Sequence, residues 1–133
     1  MPMTFAQVDA FATKLAGVEV TTRWNHRTWQ VNERGIAWER PFSKADIARF
    51  GDEAPPAGEI LAIATPGLDA KDALLSIALP GFFTIPHFNG FPAVLVELRT
   101  ARVADVRRAL TDAYRAALSA PPKRARPRAR RGG

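Results

Sequence analysis

Residues 82–98 read FFTIPHFNGFPAVLVEL. The segment opens on two phenylalanines, sets His87 among prolines and aromatics, and closes on an apolar run broken only by Glu97. Pro86 and Pro92 fix backbone φ, and Asn89-Gly90, flanked by Phe88 and Phe91, is a strong two-residue turn signal. The segment therefore predicts a hairpin: FFT enters, the chain turns through Pro86–Pro92, and AVLVEL returns as a strand. In that strand Ala93 and Leu95 point away from Val94, Val96 and Leu98, so both faces are apolar. Such a strand is central and covered on both sides. Helices supply one cover, and a loop, a few long side chains or a second copy of the chain supplies the other, which leaves monomer and homodimer equally open.

The flanking sequence supplies the helices and further strands. Thr4 caps a first helix, Gln7 returns the capping bond, and Phe5, Val8, Phe11 or Ala12, and Leu15 form its apolar stripe up to Gly17. An entry segment at Thr21–Trp24 leads to TWQV at Thr28–Val31, a turn at Asn32–Gly35 and IAWER at Ile36–Arg40, which read as a second hairpin. Ser43 and Asp46 mark a short helix to Phe50, followed by a loop over Asp52–Glu59 and a strand at Ile60–Thr65. Asp69–Leu79 carries Leu74, Leu75, Ala78 and Leu79 at helical spacing before Pro80-Gly81. A final helix from Arg102 to Ser119 repeats Val103, Val106, Leu110, Ala113 and Ala117, with Asp105 near its positive end. Two long terminal helices with four or five short strands and no strand–helix alternation predict an α+β fold: two layers, with helices packed on a mostly antiparallel sheet.

A chain of 133 residues supports one such domain, assigned to residues 1–120, and a separate tail over 121–133. The absence of cysteine removes disulfides, thiolate nucleophiles and thiolate metal ligands, and agrees with a cytoplasmic setting. No run of eighteen uncharged apolar residues suggests a membrane span, and the N-terminus lacks the pattern of a secretory signal, so no membrane partner is expected. The net charge of +6 is carried by the tail: Lys123, Arg124, Arg126, Arg128, Arg130 and Arg131 leave 13 basic against 13 acidic residues elsewhere. A Pro/Arg/Ala/Gly tail without an apolar stripe is expected to be disordered alone, and its charges suit phosphates. DNA is the expected partner, bound weakly and in a salt-dependent way.

Two groups of residues in the domain are candidate sites. In RWNHRTWQV, Arg23 and Arg27 offer positive charge beside Trp24 and His26, a combination suited to phosphate contact and stacking. The structural alternative has the tryptophans covering a sheet edge and the arginines solvated. If strand pairing brings His26 near His87, the two line a polar pocket with Trp24, Thr84 and Asn89. His87 is otherwise a turn residue bonding a backbone carbonyl. The chain has only two histidines, no metal-ligand spacing, no nucleophile elbow and no phosphate-binding glycine loop, so the expectation is no catalytic residue, no metal and no cofactor.

The 82–98 segment resembles the MmcQ/YjbR-like family, whose members share a phenylalanine pair, a P-H element and a G-Y/F-P-A-V-L-V run; Phe91 stands where tyrosine is common. The Trp24/His26 region with TWQVNERGIAWE, Leu74-Leu75 and Val103–Leu118 are similar to the family's early hairpin, preceding helix and closing helix, so the resemblance covers about residues 5–119. It implies a two-layer α+β domain like the frataxin-like or secretion-chaperone-like architecture, and a DNA-binding accessory role of unknown specificity. It carries over no catalytic residue, and the basic tail lies outside it. A small-molecule or protein-interaction module with a polar pocket near His26 and His87 is the alternative.

Overall fold

The computed structural model describes residues 3–23, 26–41, 48, 59–85, 88 and 90–120. Thr4 and Gln7 set the first element as the sequence predicts. Thr4 Oγ1 accepts from the Gln7 N–H at 3.2 Å, Gln7 Oε1 accepts from the Thr4 N–H at 3.0 Å, and α1 runs over Phe5–Ala12. It is shorter than expected. The N–H groups of Lys14 and Leu15 bond three residues back, to Phe11 and Ala12, and Gly17 at φ +85° leads into the sheet.

Six strands form one sheet in the order β1-β2-β3-β4-β6-β5, every neighbouring pair antiparallel. They are β1 Glu19–Arg23, β2 His26–Val31, β3 Arg34–Glu39, β4 Ile60–Ala64, β5 Phe82–Phe83 and β6 Ala93–Glu97. Asn32 and Glu33, both with positive φ (52° and 66°), make the two-residue turn from β2 to β3. Trp29 opposes Ala37, yet Gln30 opposes Gly35, so Ile36 is an extra residue in β3. This bulge puts both Ile36 and Ala37 into the same core, which strict alternation would not.

α2 (Leu68–Ser76) follows β4, and α3 (Val103–Ser119) follows β6. α2 stops three residues before the expected Leu79, because Ile77 and Ala78 bond back to Leu74 and Leu75 and Ala78 takes φ +57°. α3 buries Val106, Ala109, Leu110, Ala113 and Ala117, and its three small alanines let the helix sit close to the sheet. The main core lies between these helices and Trp29, Val31, Leu61, Ile63, Val94 and Val96. At about 1.5–3 kcal/mol for each large apolar side chain buried, this face dominates the stabilisation. The Trp29 indole N–H donates to Asp9 Oδ1 at 2.9 Å and the Tyr114 hydroxyl to the Ala16 carbonyl at 2.6 Å, fixing α1 and its exit on that layer.

The architecture is two-layer α+β with an antiparallel sheet. β6 is covered on both faces, as its sequence requires: Ala93 through Val96 are fully buried. The second cover is the β5–β6 loop, whose Ile85 and Phe88 pack with Ile60, Ala62, Ala93 and Leu95. β6 is not at the middle of the sheet, however, and pairs with the two-residue β5 on one side. Among the described residues no helix is long and apolar enough to cross a membrane. The expected helix at Ser43–Phe50 and most of the loop after it lie outside the described residues, as does the tail over 121–133.

Candidate functional site

The side of the sheet away from the helices carries the residues that alternate with the core. Arg23 pairs with His26 across β1 and β2, Thr28 pairs with Trp38, and Trp38 pairs with Ala62. The β5–β6 loop covers the β4–β6 half of this side. Over the β2–β3 half lies an open cavity of about 810 Å³. Arg23, His26 and Thr28 come to it from the first two strands, Arg34, Gly35, Trp38 and Glu39 from β3, and Arg40 and Pro41 from its exit. Ala64, Thr65, Phe88, Phe91 and Pro92 close the opposite wall.

That wall is aromatic and fixed. The Phe91 ring meets Trp38 edge to face at 6.1 Å and Phe88 at 5.5 Å, and the Arg40 guanidinium lies 5.3 Å from the Phe88 ring centre. Beneath it, Lys71 of α2 is 2% exposed. Its Nζ donates to the Phe91 carbonyl at 2.8 Å and to the Phe88 carbonyl. The Phe91 N–H also bonds the Phe88 carbonyl at 3.0 Å, and the Ala93 N–H bonds the Phe91 carbonyl at 2.8 Å. Burial pulls the Lys71 ammonium below its ordinary value, and the neighbouring Asp72 carboxylate opposes that shift.

Among the described residues Arg23, Arg34, Arg40 and His26 line the cavity with one carboxylate residue, Glu39, which pairs with Arg27 at 3.4 Å. Arg23 donates to Gln30 Oε1 at 2.7 Å, a neutral acceptor that leaves its charge in place. The end of α3 is close by. A small cleft of about 170 Å³ joins Ala113, Ala117 and Ala120 to Arg34, Gly35, Ala64 and Thr65, all four of which also line the main cavity. Ala120, the last residue described, thus lines a cleft next to the cavity.

Sequence comparison adds relatives. Over 109 residues the chain is 36% identical to uncharacterized protein Rv2570 of Mycobacterium tuberculosis (strain H37Rv), matching 80% of this chain and 84% of that one. Uncharacterized protein Mb2600 of Mycobacterium bovis matches to the same extent. The chain belongs to their family. No family model matches it, and no solved structure does.

Of the residues singled out from sequence, Arg23 and His26 line the cavity. Arg27 does not join them. Its neighbour across β1 is Thr22, it shares the helix-side face with Trp29, and its guanidinium lies 5.7 Å from that ring while pairing with Glu39. Thr84 is partly buried and lies outside the cavity lining, its hydroxyl 3.5 Å from the Ile85 carbonyl. Trp24, His87 and Asn89 lie outside the described residues, as do Lys123, Arg124, Arg126, Arg128, Arg130 and Arg131. Among the described residues no group of three or more His, Asp or Glu side chains is placed to hold a metal ion.

Several residues of the site were not singled out. Trp38 and Arg34 belong to a strand whose bulge disturbs the alternation that would have assigned their faces. Lys71 had a signal: it stands three and four residues before Leu74 and Leu75, on the apolar stripe of α2. A lysine in that stripe announces a buried amine with carbonyl partners.

Proposed function

We propose that the chain is a non-enzymatic DNA-binding accessory protein on the MmcQ/YjbR-like plan, its two layers arranged as in frataxin-like or secretion-chaperone-like domains. The observation that carries this reading is that α3 ends in a cleft sharing Arg34, Gly35, Ala64 and Thr65 with a cavity that Arg23 and His26 also line. The six cations of the following sequence reach phosphates at some distance, and the cavity receives those that come close. The mechanism is phosphate contact without bond making. A cytoplasmic location follows from the same reading.

Deletion of residues 121–133 tests it. Full engagement of six phosphates on duplex DNA gives a log–log salt slope near roughly −5, from about 0.9 for each phosphate. The deletion weakens binding and flattens the slope; unchanged affinity and slope reject the tail mechanism. A second reading, a module for a small anionic ligand near His26, draws on the cavity's size of about 810 Å³, which is within the usual range for ligand sites.

A further inference from the structure

Resting on that DNA-binding reading, we propose that the cavity receives the base of an unstacked nucleotide together with its adjoining phosphate, and so confers a preference for single-stranded over duplex DNA. The geometry of Phe91 leads to this. Phe91 is 46% exposed on a cavity wall although exposure of an aromatic residue is unfavourable in water. It does not hang loose. Trp38 and Phe88 hold it edge to face, and Lys71 anchors the backbone carbonyls of both phenylalanines from below.

A buried ammonium is an expensive way to fix a surface loop. Here its product is an anchored aromatic surface facing a cavity that Arg23 and His26 also line. Base stacking on an aromatic ring is tolerant of sequence, and guanidinium groups beside it match the phosphate that accompanies each base. In a duplex the flat faces of the bases are already stacked on one another, and a concave site meets only the backbone. A single strand can turn a base outward and fill the cavity. Arg23, whose bonded acceptor Gln30 is neutral, is the cation set to meet the neighbouring phosphate, and the Glu39 carboxylate is paired with Arg27.

The test uses the full chain and fluorescence anisotropy at one fixed salt concentration. Three labelled probes of equal length are compared: an oligothymidylate, the same strand with abasic sites, and a duplex. The oligothymidylate is expected to bind roughly five- to a hundred-fold more tightly than the abasic strand for each stacked base, and more tightly than the duplex. Phe91→Leu, which keeps apolar bulk without a π face, should bring the oligothymidylate close to the abasic strand; a thermal melt checks that the variant is folded. Equal binding of thymidylate and abasic strands, or tighter binding of the duplex, overturns the cavity assignment and leaves DNA binding standing. Failure of all three probes to bind overturns both. The abasic comparison needs no variant, so the inference stays falsifiable even if Phe91→Leu unfolds.

Discussion

Lys71 Nζ lies 2.8 Å from the carbonyl oxygen of Phe91, bridging α2 to the loop that walls the cavity. With the Phe88 carbonyl as second acceptor, one buried side chain adds a second donor to two carbonyls that already accept from the Phe91 and Ala93 N–H groups. Lys71→Met keeps the volume and removes both donors. Each carbonyl keeps a backbone donor, the Phe91 N–H at 3.0 Å and the Ala93 N–H at 2.8 Å, so the variant loses two extra bonds and orphans no acceptor. With relief of a desolvated charge as a partial offset, a net loss of about 1–2 kcal/mol is expected in chemical denaturation. Oligonucleotide affinity should fall with it, because the aromatic wall loses its anchor.

The same residue sets a dependence on pH. Its amine titrates below its ordinary 10.5 in the folded protein, so between the lowered value and 10.5 the unfolded chain binds more protons than the native one. Stability from this group therefore rises with pH across that window and is complete above 10.5. The neutral amine keeps two N–H donors for its two carbonyls. Denaturation of the wild type and of Lys71→Met at several alkaline pH values should show their difference widening as pH rises; a constant difference removes the buried-amine account.

Gly81→Ala is expected to be severe. Gly81 has φ +82°, and a Cβ there would lie 2.8 Å from the Glu97 carbonyl oxygen and 2.9 Å from the Ala101 nitrogen. Both are backbone atoms, and the Glu97 N–H bonds the Gly81 carbonyl at 2.8 Å, so the two segments cannot simply separate. A left-handed alanine costs about 1–2 kcal/mol and the overlap about 1–3 more, giving a loss of about 2–5 kcal/mol in equilibrium unfolding.

Ala78→Gly should act in the opposite direction. Ala78 is exposed and follows the end of α2 with φ +57°, a place that glycine normally fills. Relief of about 1–2 kcal/mol of left-handed strain exceeds the roughly 0.4–1 kcal/mol by which glycine loosens the unfolded chain. The melting temperature should rise by a few degrees, for a net gain of about 0.5–1 kcal/mol. A fall would mean that the αL position is held by something other than backbone geometry.

Ala78 also shows why parts of the chain were illegible in sequence. Its place after Leu74 and Leu75 reads as helix, and no glycine marks the stop that the backbone makes there. β1 was hidden for a different reason: Glu19, Val20, Thr22 and Arg23 are all exposed, so an edge strand leaves no apolar alternation to read. Burial wrote the clearest signals. β6, the stripe of α3 and the Thr4–Gln7 cap were all legible because each depends on contacts that demand particular residues. The site was legible only in part. Arg23 and Arg27 are close in sequence, but they stand on opposite faces of neighbouring strands, a separation that only the register reveals.

That separation makes the last prediction. Arg23 is exposed and donates to Gln30, whereas Arg27 holds Glu39 and lies against Trp29. Arg23→Ala should leave stability within about 0.5 kcal/mol of the wild type, since it removes only a surface contact. It should weaken single-strand binding and reduce the magnitude of the log–log salt slope by about 0.7, the value for one phosphate contact. Arg27→Ala should instead cost about 1 kcal/mol of stability through its ion pair and its packing on the ring. Its effect on binding should be small, because Arg27 and Glu39 share the helix-side face, Glu39 standing opposite the core residue Leu61. If Arg27→Ala binds as poorly as Arg23→Ala, then Arg27 contacts the nucleic acid itself, and the division of labour between the two faces is wrong.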